Sequence, residues 1–443
     1  MQAFAFVSRR ERLPLAPGST FLRIPFGVRF CVASDGFSRY NNQNSVHHKG
    51  GHPMSLHDTV TAILAAAVEN HECAGANVLI RRHGEEVLYT QAGMANIAQK
   101  RPIQRDSIFR LYSQTKPVTA AAVMILVERG LIDLMDSVDK YLPGFRNPKV
   151  VDHRGCITKA NRAPWIMELL GMTAGLCYPD GDPAGQYAAR VFEDAHEQIK
   201  AGAGIPTVEF MNRLGKQPLS FQPGTHWRYS TCADVLGAVV EVASGMRFGD
   251  FLRKEIFEPL GMVDTAFFVP ESKVERFVTC YERGENGLTP WLGMNLACGV
   301  YDRDPAFESG GAGLVSTLED YGRFADMMLN RGIWNGKRIL SAKSVEFLTT
   351  PQLSDDVRRD LWDSLGGYSY GKLCRVCVDP GQVAGLAMKD EYGWDGWLGS
   401  YYANFPNEGM TILSMQNTTN TGTSAMVRKV RNAVLAAMSR GEI

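Results

Sequence analysis

The sequence predicts an α+β fold: one antiparallel β-sheet assembled from both ends of the chain, flanked by helices, with a largely helical second lobe inserted between the two sets of strands. Three observations carry this. Near the N-terminal end, Asn77-Val78-Leu79-Ile80 and Val87-Leu88-Tyr89 flank the turn Arg82-His83-Gly84-Glu85, which reads as a hairpin. Near the C-terminal end, Tyr401 to Phe405 and Met410 to Met415 flank Pro406-Asn407-Glu408-Gly409, a second hairpin. Between them the apolar spacing is helical or the sequence is rich in loop formers, so strands at both ends close on one sheet.

Taken in order, Val60, Ile63, Leu64, Ala67 and Val68 predict a helix over Ser55 to Glu69. After the first hairpin, Val118, Ala121, Ala122, Ile125 and Leu126 place one buried face on a helix that begins near Pro117, a residue suited to a first turn. Residues 130–220 are rich in Gly, Pro, Asp and Asn and predict short helices only, such as Ala163 to Leu170. Helices are expected from Val235 to Ala243 with a stop at Ser244-Gly245, from Phe248 to Phe257 before Pro259, and from Leu318 to Leu329. The last runs from Ser424 to Ser439, with Met426, Val427, Val430, Val434, Leu435 and Met438 on one face. The sheet lobe is thus expected over about 54–110 and 310–443, and the helical lobe over about 111–309. Residues 1–53, with Arg9, Arg10, Arg12, Arg23, Arg29 and Arg39 breaking the apolar stretches, form an expected extension, partly disordered or packed outside.

Composition narrows the function. With 443 residues, 45% of them hydrophobic, the chain is long enough for a large core. Lys plus Arg and Asp plus Glu both total 47, so nothing in the charge balance favours nucleic acid or an anionic membrane surface. Small molecules are the expected partners; oligomeric state stays open. Nine scattered cysteines, an odd number, predict reduced thiols. Cys374 and Cys377 form a C-x-x-C pair without the second pair or histidines that a zinc site needs. We expect neither metal nor cofactor. A run of about 18 apolar residues that would span a membrane is absent from the sequence, and residues 1–53 lack an uninterrupted apolar centre before a cleavage site, which together predict a cytoplasmic protein.

The chemistry concentrates in Leu111-Tyr112-Ser113-Gln114-Thr115-Lys116-Pro117. Positions i and i+3 share a helical face, so the Lys116 amine reaches the Ser113 hydroxyl. A serine needs a base to attack near neutral pH, and a desolvated lysine is one. S-x-x-K alone occurs by chance in many proteins, so partners are needed. Tyr229, in Pro223 to Thr231, precedes an apolar helix, and a phenol beside a cation is a proton shuttle. Gly393-Trp394-Asp395-Gly396-Trp397-Leu398-Gly399 begins the C-terminal hairpin, where glycines let backbone approach a ligand.

This order resembles the serine β-lactamase and penicillin-binding-protein superfamily, in its class C-like branch, and its motifs are similar to those of family VIII carboxylesterases. The resemblance covers roughly residues 58–438 and extends to Gly130-Leu131-Ile132-Asp133-Leu134-Met135-Asp136, Tyr141-Leu142-Pro143, Tyr229-Ser230 with Leu236-Gly237, Pro259-Leu260-Gly261-Met262 and Gly310 to Thr317. It implies Ser113 as nucleophile, Lys116 and Tyr229 jointly as the proton relay, and the backbone N–H groups of Ser113 and Trp397 as the oxyanion hole. Tyr112, Thr231, Trp394, Asp395 and Gly396 are implied substrate contacts. In β-lactamases the tyrosine motif ends in asparagine and the strand motif is Lys-Thr-Gly; Thr231 and Trp394-Asp395-Gly396 stand at those positions here. A tryptophan in place of the lysine resembles the family VIII esterases and suits an uncharged ester, while Asp395, if it points inward, would repel a substrate carboxylate. The expected activity is hydrolysis of short acyl or aryl esters, with weak β-lactam hydrolysis on the side. A β-lactamase or D-amino-acid peptidase, an acyltransferase, and a catalytically inactive binding protein of the same fold are the alternatives.

Overall fold

Ser55 opens the first helix by accepting the Asp58 N–H with its side chain, and the helix, α1, runs Leu56–Glu69. The computed structural model describes residues 54–285 and 287–443, so the extension expected over 1–53 lies outside the described residues. Eight antiparallel strands follow in two sets: β1 (Gly75–Arg82), β2 (Glu85–Asn96) and β3 (Arg101–Pro102), then β4 (Tyr368–Tyr370), β5 (Arg375–Cys377), β6 (Tyr392–Asp395), β7 (Tyr401–Phe405) and β8 (Met410–Gln416). They lie side by side in the order β4-β5-β6-β7-β8-β1-β2-β3. The two ends of the chain meet at the β1–β8 seam, in register from Ala76 opposite Gln416 to Arg82 opposite Met410. His83 and Gly84, both left-handed, make the tight turn between β1 and β2.

Helices cover both faces of this sheet. Because side chains alternate along a strand, Val78, Ile80, Tyr401, Ala403, Phe405 and Ile412 pack under α1 and the C-terminal helix Ala425–Ser439. Leu79, Tyr402, Leu413 and Met415 face the larger core on the other side. Strand β8 is buried along its whole length, which explains why Met410 to Met415 shows no clean polar alternation.

The inserted lobe departs from expectation in three places. Helix α2 (Lys116–Glu128) is buried from Lys116 through Leu126, on every side rather than one. It runs through the middle of the larger core, where an all-round apolar helix belongs. Second, α3 (Pro183–Lys200) is an 18-residue helix in a region expected to hold short ones. Asp182 caps it and Pro183 occupies its first turn, but its buried face is largely Ala184, Gly185, Ala188 and Ala195, with only Phe192 large. Small residues give a weak apolar periodicity. A second helix, α4 (Thr207–Gly215), follows, whereas the helix expected over Ala163 to Leu170 occupies only Ile166–Leu170. Third, the helix from Phe248 turns π-helical at Arg253–Phe257 and resumes over Glu258–Leu260, so Pro259 lies inside it. Helices α5 (Cys232–Ser244), α6 (Leu318–Leu329) and α7 (Ala425–Ser439) lie where the sequence places them, and α5 ends on left-handed Gly245.

Candidate active site

The Ser113 segment is a single turn of 3-10 helix, Tyr112–Thr115, running directly into α2. The N–H groups at the start of such a run have no intrahelical partner, so the Ser113 amide is free of the ladder. Tyr112 takes a left-handed backbone, φ 46°, uncommon for a bulky residue and of the kind that gathers at functional sites. Its ring is buried against Trp397, centroids 5.0 Å apart. That contact ties the residue before Ser113 to the loop after β6. The same junction is tightened by Ser400 Oγ donating to the Leu111 carbonyl at 3.1 Å. A Cβ on Gly396 would come within 2.3 Å of that carbonyl oxygen, so only glycine allows the approach.

Lys116 is fully buried and its Nζ lies 3.1 Å from Ser113 Oγ. It also donates to the Gly311 carbonyl at 2.8 Å. Burial drives its ammonium down to about 7, against the opposing pull of Asp234. The loop at 310–314 is stitched beneath the turn: Thr119 Oγ1 donates to the Gly310 carbonyl at 2.7 Å, and Thr115 Oγ1 accepts the Leu314 N–H at 3.2 Å.

Tyr229 completes the cluster, with Lys116 Nζ 4.6 Å from its ring centroid. Its hydroxyl oxygen accepts the Trp394 indole N–H at 3.0 Å. Burial raises the Tyr229 phenol, with hydrogen bonds to Ser113 and Trp394 pulling the other way. An aromatic wall surrounds it: Trp362 at 5.0 Å, Trp394 at 5.4 Å and Tyr178 at 5.7 Å between centroids, with Trp227 stacked behind.

The other residues expected at the site divide. Trp394 faces the larger core and the Tyr229 hydroxyl. Asp395, next along β6, stands opposite Tyr401 and shares its face of the sheet. Its carboxylate takes Arg375 Nη1 at 2.7 Å and the Thr423 hydroxyl. The condition under which it would repel a substrate carboxylate is therefore not met. Thr231 is fully buried and donates to the Cys177 carbonyl at 3.4 Å. Trp397 lies in the turn after β6, its indole donating to Asn420 Oδ1 at 2.9 Å.

Sequence reasoning left out Asp234 and Ser309, and met Gly311 only within the run Gly310 to Thr317. Asp234 is a carboxylate set directly before the uncharged run Val235 to Val240, five residues after Tyr229. That isolation was the available sign, since a buried acid needs compensation.

The architecture and this cluster define a β-lactamase-like fold. The family model described as Beta-lactamase matches residues 60–437, and the chain belongs to that family. Esterase EstB of Burkholderia gladioli is 31% identical over 408 residues, which cover 86% of this chain and 96% of that protein. The ML-236A carboxylate methylbutanoyltransferase of Penicillium citrinum is 27% identical over 355 residues, 75% of this chain and 80% of that one. Among solved structures, EstCE1, described as a hydrolase with promiscuous acyltransferase activity, superposes with a TM-score of 0.73 at 25% identity, covering 86% of this chain and 98% of its own. Among the described residues, no helix is long and apolar enough to cross a membrane.

Proposed function

We propose that this protein hydrolyses small carboxylic esters through an acyl-enzyme on Ser113. The observation that carries the reading is the Trp394 indole bonded to the Tyr229 hydroxyl at 3.0 Å, at the strand position where the β-lactamase motif has a lysine. An indole holds the phenol in place yet brings no positive charge to a substrate carboxylate. The aromatic wall of Trp362, Trp227 and Tyr178 supports the same reading, because it suits an apolar, uncharged group.

Lys116, a free base for part of its population near pH 7, takes the Ser113 proton as Oγ attacks the ester carbonyl. The carbonyl oxygen, now an anion, is held by the N–H groups of Ser113 and Trp397. The C–O bond to the alcohol breaks, and Tyr229 hands the leaving alkoxide a proton that Lys116 replaces. Water then attacks the acyl-enzyme by the reverse proton path, giving the acid and free Ser113. The free thiols at Cys73, Cys156, Cys177, Cys232, Cys280, Cys298, Cys374 and Cys377 support a reducing, cytoplasmic location.

The test compares specificity constants for p-nitrophenyl butyrate, nitrocefin and a D-alanyl amide, with Ser113→Ala as control. A preference for the ester abolished by Ser113→Ala is expected; a β-lactam preference by orders of magnitude would overturn the reading. Transfer of the acyl group to an alcohol is a second reading, favoured by the likeness to the Penicillium citrinum transferase and to EstCE1. It predicts ester products when alcohols are added.

A further inference from the structure

A continuous line of hydrogen bonds joins Lys116 to a buried carboxylate. Lys116 Nζ donates to the Gly311 carbonyl at 2.8 Å. On the other side of that same peptide unit, the Ala312 N–H donates to Ser309 Oγ at 2.9 Å. The Ser309 hydroxyl in turn donates to Asp234 Oδ1 at 2.5 Å, and the Gly311 N–H reaches the same oxygen at 3.0 Å. Asp234 is 3% exposed, in the first turn of α5. The fit is tight: a Cβ on Gly311 would stand 2.7 Å from Asp234 Oδ2.

We propose that Asp234 is a positioning residue for the reaction, holding the Lys116 amine against Ser113 through Ser309 and the Gly311–Ala312 peptide, and supplying the negative charge that this amine faces. Each bond in the line polarises the next, so an anion at Asp234 makes the Gly311 carbonyl a stronger acceptor for Lys116. The groups that face Lys116 are Asp234 and Cys232 from α5, Cys298 from the loop before Ser309, and the rings of Tyr178 and Tyr229. Burial holds both thiols up near 12, and raises both phenols, so these four stay uncharged near neutral pH. Asp234 is the acid among them. Burial raises its carboxyl, against the pull of Lys116 and its bonds from Ser309 and Gly311.

This inference rests on Lys116 acting as the base for Ser113, and the experiment separates the two. The rate at which a fluorophosphonate modifies Ser113 is followed by intact-mass spectrometry across about pH 5 to 10 for the wild type, Asp234→Asn and Ser309→Ala. Asparagine keeps an acceptor oxygen for Ser309 and Gly311 and removes the charge, with an amide in place of Oδ2. The rising limb is expected to move to lower pH by about one unit in Asp234→Asn, because an opposite charge no longer favours the ammonium. Ser309→Ala is expected to move it the same way by less, with a lower plateau rate. A purely structural role predicts slower modification at every pH with an unmoved midpoint in both variants, and that result overturns the inference alone. Absence of wild-type modification overturns the proposed function as well. Should thermal melts show that Asp234→Asn does not fold, the midpoint of Ser309→Ala, which loses one hydroxyl and no charge, decides the matter.

Discussion

The Trp394 indole N–H and the Tyr229 hydroxyl oxygen meet at 3.0 Å, joining an inner strand of the sheet to the start of α5. A donor aimed at a phenol stabilises it most when negative charge builds on the oxygen. Trp394→Phe keeps an aromatic ring beside Tyr370 but removes the N–H. A hydrogen bond to a group that becomes charged is worth about 1.5–3 kcal/mol, so kcat/KM for a p-nitrophenyl ester is expected to fall roughly tenfold to a hundredfold. A variant equal to the wild type would remove Trp394 from the relay.

The pH profile follows from Lys116. Its amine must be neutral to take a proton, and burial brings it to about 7, so kcat/KM is expected to rise with pH through a midpoint near 7. Stability runs the same way for this residue. An unfolded lysine holds its proton up to about 10.5 while the native one releases it near 7, so between those values the unfolded state binds more protons and stability rises with pH. Lys116→Met is therefore expected to be inactive, to melt above the wild type at pH 7, and to flatten the pH dependence of Tm between about 7 and 10. A lower Tm at pH 7 would show that the lysine bonds outweigh its burial cost.

Much of this was legible in the sequence, for physical reasons that differ by residue. Ser113 and Lys116 are three residues apart at a turn, so their contact is local and spacing alone predicts it. The β1–β2 and β7–β8 hairpins carry their own turn residues, and the sheet followed from them. Tyr229 and Trp394 are 165 positions apart, and only the family resemblance put them in one site. The side chain of Asp395 was unreadable because its direction depends on the register of β6, where one residue decides which face of the sheet it joins. Asp234 was hidden by distance of another kind: its partners, Ser309 and Gly311, lie in a loop that no local pattern links to α5.

Asp395 is tied into the sheet by its own partners. Its carboxylate pairs with Arg375 at 2.7 Å, with side chains 14% and 5% exposed. Breaking a buried pair by removing one partner costs about 3–5 kcal/mol. Asp395→Asn is expected to lower Tm clearly while leaving the ratio of ester to β-lactam specificity constants at its wild-type value. A gain in β-lactam hydrolysis without loss of stability would put Asp395 back among the substrate contacts.

Trp362 is the residue through which acyl or alcohol preference is most open to change. It comes from the loop between the short helix Asp355–Arg358 and β4, is 39% exposed, and sets its ring 5.0 Å from that of Tyr229 and 5.5 Å from that of Trp227. Neighbouring Asp360 fixes the loop by accepting the Trp227 N–H at 3.0 Å. A side chain packed on one side and open on the other is placed to cover a bound apolar group and to leave the chemistry alone. Loss of an aromatic contact costs about 0.5–1.5 kcal/mol, so Trp362→Ala is expected to raise KM for p-nitrophenyl butyrate roughly threefold to tenfold. The effect on the acetate should be smaller, since a shorter acyl chain reaches less of the wall, and kcat should change little for either ester. A drop in kcat at constant KM would instead mean that Trp362 acts by holding Tyr229, and would move it from the substrate wall to the support of the relay.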